Sequence, residues 1–144
     1  MMNNKKKVKI LLINNNEMMC VYFRDIFWIH GKNDNYDIKI VSSLDEAEKI
    51  IQGEDTRPDT IFLDVLMSSN KKGDLSHQMN YSIEFIDKIK KNFPDIKIII
   101  CSEHRDLSIE KAVSKLGVNG YLVKDELMPK EIVHFTDKIH GTNN

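Results

Sequence analysis

At 144 residues the chain fits one domain with a sizeable core. Its 21 basic and 22 acidic side chains leave a net charge of −1, which gives no long-range pull toward nucleic acid or an acidic lipid surface. No apolar stretch reaches the roughly 20 residues of a membrane span, and no signal-peptide pattern opens the chain, so a cytoplasmic protein is expected. Lys5-Lys6-Lys7 reads as a solvated lead-in to the first strand. Cys20 and Cys101 have no second soft ligand spaced nearby and read as buried, reduced thiols.

In chain order, short apolar runs alternate with helical patterns, the mark of a parallel α/β sheet. Val8 to Ile13 is the first strand. From Glu17 to about His30, Met19, Tyr22, Phe23, Ile26 and Phe27 fall at the i, i+3, i+4, i+7, i+8 spacing of a helix. Between Met18 and Ile29 only Arg24 and Asp25 are charged, so this helix is apolar nearly all round. Burial beneath the long loop or the termini is the expectation; a partner surface carrying Val21 and Trp28 is the alternative. Ile38 to Val41 is a second strand. Ser43, with Glu46 three residues on, forms a capping box opening a helix to about Gln52, with Gly53 as its stop.

Pro58 introduces the third strand, Thr60 to Asp64. A helix is predicted from Ser82 to Asn92, with Ile83, Ile86, Ile89 and Phe93 inward and Pro94 ending it. Ile96 to Cys101 is the fourth strand. Asp106 or Ser108 caps the next helix, where Ile109, Ala112, Val113 and Leu116 make a stripe before Gly117. Tyr121 to Val123 is the fifth strand, and a last helix runs from about Pro129 to Ile139 with Ile132, Phe135 and Ile139 inward. The pattern describes one α/β domain over 1–144, with its core at 7–139: a doubly wound, five-stranded sheet with five helices. The polar stretch 68–81 reads as an inserted loop, a mobile flap by its composition. The sharper reading is a lid or docking element beside Asp64, with Lys71, Lys72 and Asp74; a lone loop histidine such as His77 carries no role.

Three apolar runs end in polar groups: the third in Asp64, the fourth in Ser102, the fifth in Lys124. As neighbouring parallel strands they bring a carboxylate, a hydroxyl and an ammonium to one sheet edge, a trio suited to a phosphoryl-accepting aspartate. Each residue alone has a plainer reading, since an aspartate ending a strand often just caps a turn. Asn14-Asn15-Asn16-Glu17 is not the Ser/Thr/Gly-rich phosphate loop of a flavin binder, and glycine patterns for nucleotides are absent.

With Pro58-Asp-Thr-Ile-Phe-Leu-Asp64, Ser102 and Gly117-Val-Asn-Gly-Tyr-Leu-Val-Lys124 in order, the chain resembles the receiver domain of bacterial response regulators from Lys7 to Ile139. The resemblance implies a flavodoxin-like sheet of order 2-1-3-4-5, with chemistry at the carboxyl ends of strands one and three. It implies a two-component phosphorelay module rather than an enzyme. Asp64 would accept a phosphoryl group from a histidine kinase or histidine phosphotransfer protein. Lys124 would pair with the acceptor, Ser102 would turn toward the phosphoryl group, and Tyr121 would swing inward behind it. Output would pass to a downstream protein partner through the surface around strand five, since nothing after Ile139 forms an effector domain; a homodimer is allowed, nucleic acid and membrane are not expected.

The departures are as specific. Where the family places two acids for Mg²⁺, this chain has Asn14 and Asn15. The implied ligand set is Asp64, Asn15, Asn14 and the Leu66 backbone carbonyl, and it predicts weak Mg²⁺ binding. Glu17, at the helix start, is better explained by the helix dipole than as a substitute ligand. Glu103 stands where the family has a small residue, and Leu66 and His104 flank the site. These departures carry the alternative function, a phosphorylation-independent pseudo-receiver acting as a protein-interaction module.

Overall fold

The computed structural model describes residues 7–31, 35–65, 75–102 and 105–141. Leu66, Glu103, His104 and the charged residues of 68–74 lie outside that set, as does the side chain of His77. Five strands and five helices alternate: β1 (Val8–Ile13), α1 (Glu17–His30), β2 (Tyr36–Val41), α2 (Leu44–Gln52), β3 (Thr60–Leu63), α3 (Leu75–Asn92), β4 (Lys97–Ser102), α4 (Leu107–Ser114), β5 (Gly120–Val123) and α5 (Pro129–His140). All strand pairs are parallel, and the sheet order is 2-1-3-4-5.

Period-two alternation sorts each central strand onto two faces. Leu11, Ile13, Ile61, Leu63, Ile98 and Ile100 pack with Ala47, Ile51, Ile86, Ile89 and Val113 from α2, α3 and α4. On the other face Ile10, Leu12, Phe62 and Ile99 meet Phe23 and Phe27 of α1 and Ile132 and Val133 of α5. Phe62 is fully buried, its ring centroid 5.4 Å from Phe23 and 5.8 Å from Phe27. Because both faces are covered, the strands read as continuous apolar runs rather than alternating ones.

Local signals set several boundaries. Asn16 caps α1 by accepting from the Met19 amide, and Ser43 caps α2 by accepting from the Glu46 amide. Asp106, of the two candidates, caps α4, accepting from the amides of Ser108 and Ile109. Gly117 has φ +79 at the turn after α4, a conformation that favours glycine.

Three expectations need correction. Helix α3 begins at Leu75, not Ser82, so residues 75–81 of the supposed loop are helical. Ser82 is buried within the helix and its hydroxyl donates to the Val65 carbonyl at 2.8 Å, while Met79 packs against the core. Tertiary contacts thus extend a segment whose own pattern is too polar to announce a helix. In α5, Ile132, Phe135 and Ile139 face the core as expected, Phe135 and Ile139 half-buried against it, and Val133, Thr136 and Asp137 are buried as well. Cys20 is half-buried, its thiol donating to the Asn14 carbonyl at 3.4 Å, whereas Cys101 is buried. Finally, α1 is not covered: Trp28 is 84 % exposed.

Candidate functional site

The strand ends build the site. β1 and β3 pair Ile13 with Leu63, β3 and β4 pair Leu63 with Ile100, and β4 and β5 pair Ser102 with Val123. Asn14, Asp64, Ser102 and Lys124 therefore follow one another across the carboxyl edge. The Asp64 amide donates to the Ile13 carbonyl at 3.3 Å, carrying the ladder one residue beyond β3. Asp64, Ser102 and Lys124 are all half-buried, open to solvent yet backed by the core. Lys124 starts a single 3₁₀ turn, Lys124–Glu126, and its Nζ lies 4.8 Å from the centroid of the Tyr22 ring. That cation–π contact holds the ammonium at the strand ends.

Cys101 lies behind the carboxylate. Burial pushes its thiol pKa well up and the Asp64 charge adds to the effect, so it stays neutral beside the acid. Burial also raises the Tyr22 phenol, with Cys101 contributing. Tyr121 is turned inward: its hydroxyl is buried and makes no hydrogen bond of ordinary geometry among the described residues. Burial raises its pKa, and Ser102 and the Asp106 backbone are polar neighbours that partly offset this.

The amides do something the sequence did not suggest. Asn14 is 2 % exposed, and its Oδ1 accepts from the Asn16 amide at 2.8 Å. Asn16 Oδ1 in turn accepts from the Met19 amide at 3.1 Å. The two side chains form a relay of caps that satisfies donors at the start of α1. Asn15 is exposed, and Glu17 is exposed in the first turn of α1, where its charge suits the dipole. A hard divalent ion wants carboxylates and free oxygens. Here one oxygen is committed to a turn, and no cluster of three His, Cys, Asp or Glu side chains among the described residues could hold a metal. The described residues do not fit a resident Mg²⁺ site.

Three further features were not legible. Arg105 reaches from the β4–α4 connection to Glu126, with Nε and Nη2 each 2.7 Å from a carboxylate oxygen, and to Glu110 at 2.5 Å. The hydrogen bond from Arg105 lowers the Glu126 carboxyl. A cavity of about 390 Å³ opens beside the strand ends, lined by Asn14, Asn15, Glu17, Cys20 and Arg24 among others. A larger groove, about 620 Å³, lies away from the acid, between His30 and α5.

An order 2-1-3-4-5 parallel sheet with polar groups gathered at its carboxyl edge defines the flavodoxin-like class of α/β proteins. Within that class the chain belongs to the response regulator receiver domain family, whose pattern matches residues 10–136. It is 24 % identical over 123 residues to the transcriptional regulatory protein DegU of Brevibacillus brevis, covering 85 % of this chain and 46 % of that protein. The chain thus spans about half the length of this curated relative. A response regulator from Thermotoga maritima has the same fold with a TM-score of 0.74 at 17 % identity, over 94 % of this chain and 99 % of that one. The Mn²⁺-bound form of response regulator Rcp1 superimposes with a TM-score of 0.69 at 16 % identity, over 95 % and 96 % of the two chains. Among the described residues, no helix is long and apolar enough to cross a membrane.

Proposed function

We propose that this receiver domain accepts a phosphoryl group on Asp64 and signals through protein contacts. The observation that carries the reading is the succession of Asp64, Ser102 and Lys124 at the carboxyl ends of β3, β4 and β5. An Asp64 oxygen attacks the phosphorus of a phosphohistidine donor; the P–N bond breaks, its electron pair returns to the imidazole, and an acyl phosphate forms. The Lys124 ammonium neutralises developing charge on the phosphoryl oxygens, and the Ser102 hydroxyl donates to one of them. Tyr121, already inward, occupies the space behind Ser102. The donor would be a histidine kinase or phosphotransfer protein and the output a downstream protein, in the cytoplasm, where two free thiols stay reduced.

A second reading has its own support. Because Asn14 is spent on the turn at α1, Mg²⁺ would bind weakly at best through Asp64, Asn15 and the Leu66 carbonyl, and the domain would act as an interaction module without phosphorylation. Intact mass after incubation with acetyl phosphate, with and without Mg²⁺, separates the readings. A gain of one phosphoryl group that is lost in Asp64→Asn supports the acceptor. No gain from acetyl phosphate or from a phosphorylated histidine phosphotransfer protein leaves the interaction module.

A further inference from the structure

The Lys124 ammonium rests on an aromatic face. Its Nζ lies 4.8 Å from the centroid of the Tyr22 ring, and among the described residues it makes no ion pair or hydrogen bond. The ring beneath it is fixed on two sides. Tyr22 is half-buried against the core cluster that holds Cys101 of β4 and Leu122 of β5, and its ring meets Phe23 edge-on at 5.9 Å between centroids. The Asn14–Asn16 relay of caps starts α1 at the same sheet edge, which brings Tyr22 within reach of the end of β5. Of the described cations in the connections that follow β4 and β5, Arg105 is held by Glu126 and Glu110, which leaves Lys124.

We propose that Tyr22 is a positioning residue for phosphoryl transfer to Asp64: its ring face fixes the Lys124 ammonium at the strand ends with the N–H groups open to phosphoryl oxygens. The inference rests on the acceptor reading above. Attraction to a ring face comes from its quadrupole, so it anchors the ammonium without supplying a conventional acceptor for its three hydrogens. A carboxylate in that place would cancel the charge the phosphoryl group needs and repel the incoming anion. An aliphatic side chain would leave the flexible four-carbon stem unanchored, and the ammonium would have to be ordered during the reaction. An aromatic face avoids both costs. The demand is sharper in this chain because Asn14 is committed to the turn at α1 and brings no carboxylate for a divalent ion. Charge neutralisation therefore falls more heavily on Lys124, and Tyr22 acts through it.

The test is the rate at which the full chain gains a phosphoryl group from acetyl phosphate, followed by intact mass. Phenylalanine at position 22, and then phenylalanines with successive ring fluorines, keep the shape while draining negative charge from the ring face. Tyr22→Phe should stay within about twofold of the parent, and each fluorination step should slow the gain, to about fivefold or more for the fully fluorinated ring and for Tyr22→Leu. A residue that only packs would not follow the fluorine count. With no phosphodonor present, NMR should find the Lys124 ε-protons shifted upfield by the ring current, and back at ordinary lysine values in Tyr22→Leu. Circular dichroism and melting temperature check that each variant folds. A rate indifferent to ring charge, or Lys124 ε-protons at ordinary values in the parent, overturns the proposal and leaves Asp64 as the acceptor. No gain by the parent, from acetyl phosphate or from a phosphorylated histidine phosphotransfer protein, overturns the acceptor reading and the role of Tyr22 with it; an upfield shift would then mark a packing contact alone.

Discussion

Asn14→Asp puts the electrostatics of the strand ends on trial. Asn14 is 2 % exposed, and the Ile13–Leu63 pairing makes Asp64 its neighbour in the sheet. Adjacent strands are about 4.8 Å apart. Two carboxylates at roughly 5 Å repel by about 3 kcal/mol at an effective dielectric of about 20. An aspartate at 14 still accepts from the Asn16 amide as Asn14 does, so the turn survives and the change reports charge. With Lys124 and solvent offsetting part of the repulsion, the expected loss is about 2 kcal/mol at neutral pH. The pair is also the donor set a hard cation lacks in the parent. Mg²⁺ at a hundredfold excess over its dissociation constant returns about 2.7 kcal/mol. Urea unfolding followed by circular dichroism, with and without Mg²⁺, reads both effects. Without metal the variant's midpoint falls by about 1 M for a denaturant slope near 2 kcal/mol/M; with Mg²⁺ it recovers, while the parent stays put. An unchanged midpoint without metal, or a parent that responds to Mg²⁺ as strongly as the variant, would refute the reasoning.

Other consequences can be measured more simply. Burial, assisted by Lys97 and opposed by Asp59, lowers the pKa of His140, whose Nε2 meets the Thr60 hydroxyl. A lowered folded-state value favours the neutral ring. The stability it contributes is complete above about pH 6.5 and is lost as pH falls through the folded value; thermal melts of His140→Asn across that range should show a shallower slope than the parent. A Cβ at Gly120 would lie 2.6 Å from Phe135 Cζ and 2.9 Å from Cε1, so Gly120→Ala should cost about 1–3 kcal/mol in urea unfolding. Adding Phe135→Leu should recover part of that, and an additive double variant counts against the clash. Arg105→Ala should speed amide hydrogen exchange at Ser108 and Ile109, because it frees the connection that carries the Asp106 cap; unaltered protection there would mean the clasp does not order α4.

What could be read from the sequence follows from how local each signal is. Ser43 with Glu46 is a contact across three residues, and the boundaries of α2 were legible in it. The helical period of α1 and the apolar runs of β1 and β3 were equally plain, and together they fixed the succession of Asp64, Ser102 and Lys124. Features made by distant residues were not legible. Arg105 meets Glu126 across 21 positions, and no pattern in either segment announces it. The start of α3 is not legible because Leu75 to Tyr81 owes its helix to docking by Met79 and Ser82 rather than to periodicity. Asn14 and Asn15 are more than absent ligands: the two-residue spacing of Asn14 to Asn16 is the local signal of the turn they build. The uncovered Trp28 depends on what does not pack against it, which one chain's pattern cannot state.

The hydrogen bond from Ser82 to the Val65 carbonyl acts as a neck. It pins the exit of β3 to the body of α3 about two turns in from Leu75, so the helix start lies roughly 10 Å along its axis from the anchor. Material added within 66–74 leaves this anchor in place. Each doubling of a flexible tether there adds only about 0.6 kcal/mol of closure entropy. The position is thus a natural port for an inserted tag or fluorophore, one that reports from beside Asp64 while leaving the strand register undisturbed.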